Sequence, residues 1–276
     1  MAPREQIRSL LAEQLQQLER YDPGLRLGGD AEDLHKFRVA TRRSRAVIRA
    51  TKPLLGEFLS TLNDELKWLA GVLGPVRDLD VLIEHLRSAA GTLGDDSDGA
   101  NAIVASLVDE RRQRYDALRR ALDDPRYLAL LDSFAATIAS LPDLEAPDGL
   151  RPLAAKPLRK LRKAARKLGD DPTDDELHRL RIRGKRARYA VELVADVGKP
   201  VKRYLKTLKE LQDVLGEHQD AVVAEQYVRR LAGDATALAA GRLIELERQR
   251  RVDRRSEYPP VLARALRRGK KAKLEA

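Results

Sequence analysis

Five side chains able to carry positive charge, His35, Arg38, Arg42, Arg45 and Arg49, follow one another at steps of three, four, three and four residues. On an α-helix this spacing places them on one face. At 1.5 Å rise per residue the row is about 21 Å long. Like charges in such a row repel one another, so a bare surface gains nothing from it; an anion lying along the row reverses the sign. Phosphate suits these groups. Arginine offers a planar fork of donors to phosphate oxygens. His35 stands near the point where the helix must begin, where free backbone N–H groups also favour anions. Leu34, Phe37, Thr41, Ile48 and, in part, Val47 fall off the row and can face a core.

The arrangement occurs twice. His178, Arg181, Lys185 and Arg188 repeat the steps of three, four and three, at an offset of 143 residues (35 to 178). A second landmark follows each copy. Leu66 to Asp78 matches Leu208 to Asp220, including Leu73-Gly74 against Leu215-Gly216 and Arg77-Asp78 against Gln219-Asp220, at an offset of 142 residues (78 to 220). Two landmarks at nearly one offset mark a duplicated helical unit.

A single basic helix face is ordinarily just solvated, and a lone histidine is ordinarily structural. The duplication shifts that weighting, because two related basic rows can face each other across one groove. Asp78 and Asp220 are expected to anchor a basic side chain within their own halves. Lys67 and Lys209 recur and extend the basic set, although solvated lysines are the commoner case. His85 has no counterpart in the repeat, and His218 aligns with Val76, so both are read as local. Glu32, Asp33, Asp174, Asp175 and Glu176 are explained by the helix dipole and capping. Glu245 and Glu247 are read as pairing with Arg248 and Arg250 along their own helix. A phosphate-cradling glycine loop of the Gly-x-x-x-x-Gly-Lys type, a Gly-x-Ser-x-Gly elbow and a His-Glu-x-x-His zinc motif are all absent.

The elements that must position these residues read as helices throughout. Residues 3–20 form an amphipathic helix stopped by Asp22-Pro23-Gly24, and Asp30 can cap the basic helix, which ends near Thr51 before Pro53. Helices follow over 56–73, with a break or kink at Gly74-Pro75, then over 76–91, 101–122 and 124–140. The proline-rich stretch from Leu141 to Pro152 separates the halves. Beyond it come a basic helix over 153–168 carrying Arg159 and Lys163, a helix over 174–197 opened by a Thr173/Glu176 capping box, and helices over 199–231, with Gly216 a candidate break, and 234–256. The basic tail from Pro259 to Ala276 is expected to be either a frayed helix or disordered. No stretch alternates as a strand does. The fold class expected is all-α, as two antiparallel bundles of about four main helices each, over 1–145 and 150–258, with the tail at 259–276.

Composition agrees with an anionic partner: the net charge is +10 over 276 residues. Aromatic residues make up only 4%, which argues against base stacking on nucleic acid but not against backbone binding. Cysteine is absent, which excludes disulfides and thiolate metal sites and fits a reducing cytoplasm. No amino-terminal apolar core of a signal peptide and no membrane span is expected.

Together, Leu34-His35-x-x-Arg38-Val39-x-x-Arg42-Arg43-x-Arg45, its repeat Leu177-His178-x-x-Arg181-Ile182-x-x-Lys185-Arg186-x-Arg188-Tyr189 and the two Leu-Gly-x-x-(Arg/Gln)-Asp segments resemble the CHAD family, the "conserved histidine α-helical domain". The resemblance implies two pseudo-symmetric helical bundles with a basic central cavity between them. It further implies non-enzymatic binding of inorganic polyphosphate and, in some members, association with polyphosphate granules. Carried over by position, the contacts are His35, Arg38, Arg42, Arg45, His178, Arg181, Lys185 and Arg188. Arg49 extends the first row, but its counterpart is Glu192. Lys67, Lys209, Arg159 and Lys163 join the set by charge and expected face. The Glu-x-Glu-x-Lys signature of the triphosphatase domain often joined to this family is absent, so that activity is not carried over. No metal or cofactor is expected. Two rival readings stay open: a metal-dependent phosphohydrolase built on the histidines and carboxylates, and a protein that binds nucleic acid through its backbone.

Overall fold

The computed structural model describes residues 2–28, 31–194 and 198–274. Among them the chain is all-α, as the sequence predicts. The helices are α1 (Pro3–Arg26), α2 (Ala31–Leu55), α3 (Ser60–Ala90), α4 (Ser97–Asp123), α5 (Pro125–Ala139), α6 (Ala155–Arg166), α7 (Asp174–Leu193), α8 (Lys199–Leu231) and α9 (Ala237–Ala272). No described helix is long and apolar enough to cross a membrane. The cap expected from Asp30 and the end of the helix expected to reach 197 lie outside the described residues.

The chain divides into two compact units. Met1–Asp80 joins Asp109–Leu153, and Val81–Val108 joins Ala154–Ala276, so α3 and α4 contribute residues to both. In the first unit α1 packs on α2 and α5, with Ile7, Leu11, Leu18, Phe37, Leu66 and Phe134 fully buried. Tyr127 lies against Phe37, ring centroids 6.4 Å apart. In the second, α9 packs along α8, α7 on α8, and α6 on α7, around Leu208, Leu211, Val228 and Leu243.

The two helices that carry the basic rows are built alike. On α2 the buried seam is Leu34, Phe37, Thr41, Ser44, Ile48, Thr51 and Leu55. On α7 it is Leu177, Leu180, Gly184, Ala187 and Val191. Both seams step by three and four residues, the pattern of a helix face that packs on neighbours. The hydroxyls on the α2 seam are satisfied within the helix: Thr41 donates to the Phe37 carbonyl at 3.0 Å, Ser44 to Ala40 at 3.0 Å and Thr51 to Val47 at 2.9 Å.

Proline stops helices here less than the sequence predicts. α1 runs through Pro23 to Arg26, α2 through Pro53 to Leu55, α3 continuously through Gly74-Pro75, and α9 through Pro259 and Pro260 to Ala272. The last of these favours the helical alternative for the tail, as far as Ala272. An internal proline costs about 3 kcal/mol, whereas each large apolar side chain buried beyond it returns about 1.5–3 kcal/mol. Val76 and Leu79 follow Pro75, and Leu262 and Ala265 follow Pro260, all buried. Burial therefore outweighs the lost hydrogen bond.

Candidate functional site

Each basic row lies one residue further along than its seam: 34/35, 37/38, 41/42, 44/45 and 48/49 on α2; 177/178, 180/181, 184/185 and 187/188 on α7. One residue is about 100° of helix rotation. The cations therefore border the core rather than crown the helix. His35, Arg38, Arg42, Arg45, His178, Arg181, Lys185 and Arg188 are accordingly all half-buried. Half-burial limits the rotamer freedom a ligand would otherwise have to quench.

In the first unit, Arg38 Nη2 donates to Asp78 Oδ1 at 2.9 Å, the anchoring expected of Asp78. Burial, with Arg77 second, holds His35 below the ordinary histidine range; Glu32 opposes, and Arg42 and Lys36 add to the lowering. The ring is therefore neutral at pH 7 in the free protein. Arg45 Nε is shut from solvent and has no hydrogen-bond partner. Arg49 is exposed, and its Nε donates to the Arg45 carbonyl at 3.0 Å, folding the side chain back along its own helix.

In the second unit, Thr173 and Glu176 form the expected capping box. His178 Nδ1 and Gln219 Oε1 are 2.7 Å apart. An amide oxygen only accepts, so Nδ1 donates to it and Gln219 orients the ring. Arg181 lies across Gly216 of α8, where an added Cβ would stand 3.7 Å from Nε. That is ordinary contact for alanine, but a longer side chain would take the arginine's place. Arg188 is tied at 3.2 Å to Glu192, the residue that stands where the first row has Arg49. Its guanidinium also covers the Tyr189 ring at 5.0 Å.

The Leu-Gly-x-x-(Arg/Gln)-Asp segments thus act as the second side of each face. Asp78 fixes an arginine, Gly216 makes room for its counterpart, and Arg77 and Gln219 stand beside the two histidines. Lys67 and Lys209 lie on α3 and α8, and Arg159 and Lys163 on α6, all exposed.

The remaining histidines and carboxylates form a different network, which the sequence reading missed. Asp174, read as a helix-start acid, binds Arg255 at 2.9 Å, Arg251 at 3.3 Å and His218 at 3.2 Å. His85 Nε2 donates to Glu247, and the Arg250 guanidinium lies against the same ring, Nη1 3.1 Å from that nitrogen. Glu247 also lies 3.7 Å from Arg250, the expected pairing along the helix. Glu225 gathers Arg229 at 2.7 Å, Arg248 at 3.3 Å and Arg251 at 3.4 Å. The available signal was the arginine-dense run Arg248–Arg255, too cationic for one helix to neutralise alone.

Half-buried guanidinium and imidazole groups in a row, beside a second layer of glycine, amide and carboxylate, offer donors of the kind that oxyanions accept. A CHAD domain family model matches residues 9–229. The chain belongs to the CHAD domain family. Among curated proteins it is 32% identical over 241 residues to the uncharacterized proteins MT2285 and Rv2226 of two Mycobacterium tuberculosis strains, covering 82% of this chain. The chain spans 45% of the length of these relatives. Among solved structures, the CHAD domain from the plant Ricinus communis superposes with a TM-score of 0.75 at 29% identity, over 99% of this chain and 92% of that one. PptA from Streptomyces chartreusis shares the fold, with a TM-score of 0.78 at 23% identity, over 95% of this chain and all of that one.

Proposed function

We propose that this CHAD domain binds inorganic polyphosphate through the α2 and α7 rows, without turning it over. The observation that carries the reading is the placement of both rows one step from a buried seam. A row meant only for solubility has no reason to be half-buried twice, with a supporting residue beneath it each time. His35, Arg38, Arg42, Arg45, His178, Arg181 and Lys185 are the contacts. Arg49, folded back, and Arg188, tied to Glu192, contribute less. A charge-assisted hydrogen bond gives about 1.5–3 kcal/mol at best, so affinity accumulates over several contacts along a linear polymer. A strong salt dependence follows, as in counterion release from nucleic acids.

The test is a titration of the chain with polyphosphate of defined length at several salt concentrations. The expected result is saturable binding that weakens steeply with salt, and a large loss in the Arg38→Gln, Arg181→Gln double variant. Equal losses from Lys270→Gln with Lys271→Gln, both exposed on α9, would mean unspecific attraction. Steady release of orthophosphate on incubation with Mg²⁺ or Mn²⁺, abolished by His35→Ala, would replace binding with hydrolysis. Association with polyphosphate granules follows from the same reading and is checked by imaging a fluorescent fusion in polyphosphate-loaded cells.

A further inference from the structure

The two copies of the repeat differ in the helix that precedes each basic row. The α2 row is preceded by α1, which packs on α2; the α7 row is preceded by α6, which packs on α7. At the repeat offset, Leu158 and Leu161 of α6 align with Leu15 and Leu18 of α1, and all four are buried. The inward faces therefore agree. The outward faces do not. Lys156, Arg159, Lys160 and Arg162 stand where α1 has Glu13, Gln16, Gln17 and Glu19. α6 carries six cations and no acid in twelve residues. Lys156, Arg159, Lys160, Lys163 and Arg166 are exposed, and none has an acidic partner among the described residues.

The fold does not ask for this charge, because α1 performs the same packing without it. Five exposed cations without an acidic partner among the described residues repel one another on a helix of this length, and a polyanion relieves that repulsion. The outward face has no aromatic residue to stack on bases and no apolar side chain to enter a membrane: Ala155, Leu158 and Leu161 are all buried. What is left is a carpet of phosphate donors.

We infer that α6 is an added polyphosphate-binding face peculiar to the second unit, making the two repeats unequal. The inference rests on the proposed polyphosphate reading and adds to it a site and an inequality between the halves.

The experiment gives α6 the residues that α1 carries, with Lys156→Glu, Arg159→Gln and Lys160→Gln combined in the full chain. A control makes the same charge change on α4, with Arg112→Glu, Arg119→Gln and Arg120→Gln. A reciprocal variant, Glu13→Lys, Gln16→Arg and Gln17→Lys, builds the face on α1 and reports even if the first variant is poorly folded. The α6 variant is expected to lose about tenfold or more in polyphosphate affinity, with a salt slope shallower by about two to three, as removal of three phosphate contacts implies. The reciprocal variant is expected to bind more tightly than the parent. Unchanged affinity in the α6 variant, or a loss matched by the α4 control, overturns the inference. Loss of RNA or anionic-vesicle binding with polyphosphate affinity intact overturns it too. If the Arg38→Gln, Arg181→Gln variant is impaired while the α6 variant is not, only the inference fails. If the parent does not bind polyphosphate, the underlying reading fails.

Discussion

Arg38 and Asp78 show how a single pair sets the strength of the site. The pair is partly exposed, with Arg38 33% and Asp78 66% accessible, so it contributes no more than about 1 kcal/mol to stability. Its weight lies in binding, where the carboxylate aims the guanidinium but also repels an incoming polyanion. Asp78→Asn keeps the acceptor and removes the charge, so polyphosphate affinity in a titration should rise. A fall would mean that the charge itself is needed for aim. His35 gives a second prediction. Burial, and after it Arg77, hold its ring below the ordinary histidine range. Affinity should therefore grow as pH falls, with the gain still continuing below about 6.5, the ordinary histidine value. The His35→Asn variant should flatten the profile. A flat profile in the parent would remove this ring from the charged set. The row residues were legible in the sequence because charge and spacing suffice to find them. Their supports were legible only in part. Asp78 recurs in both copies and was placed correctly as an anchor. The bond between His178 and Gln219 joins residues on different helices, and no local pattern foretells it.

At the scale of elements, offsetting a cation row by one residue from a buried seam is what makes α2 and α7 more than amphipathic helices. The apolar half of that pattern was visible on α2 as Leu34, Phe37, Thr41 and Ile48. The seam of α7, with Gly184 and Ala187, is made of residues too small to announce burial. Helix ends were legible where chemistry is local, as at the Thr173/Glu176 capping box, and Thr173→Ala should cost about 1 kcal/mol in chemical unfolding. They were misread where tertiary burial overrides a local breaker, as at Pro23 and Pro53. Gly216 offers an element-scale test of the site. Leucine there would occupy the space that Arg181 uses, so Gly216→Leu should weaken polyphosphate binding much as Arg181→Gln does, whereas Gly216→Ala should leave it nearly unchanged. Equal effects of alanine and leucine would show that the arginine does not depend on that gap.

For the whole molecule, the duplication in sequence predicted an all-α chain, and the fold agrees. The contribution of residues 81–108 to the second unit left no trace in the sequence, because α3 and α4 run on without a marker. The ionic network of α7, α8 and α9 makes global stability sensitive to acid. His218 is buried, and burial holds it below the ordinary histidine range, with Arg255 and Arg251 adding to the lowering and Asp174 opposing. The unfolded chain takes up a proton near pH 6.5 and the folded chain only at lower pH. Stability should therefore fall as pH drops from about 6.5, and His218→Gln should reduce that slope. The central claim is that a polyphosphate chain lies on the α2 and α7 rows, and arginine footprinting tests it most directly. The protein would be treated with phenylglyoxal with and without saturating polyphosphate, and modification would be read residue by residue by mass spectrometry. The account predicts protection at Arg38, Arg42, Arg45 and Arg181, with Arg112, Arg119 and Arg120 reacting as before. Protection confined to other arginines, or spread evenly over all of them, would contradict it.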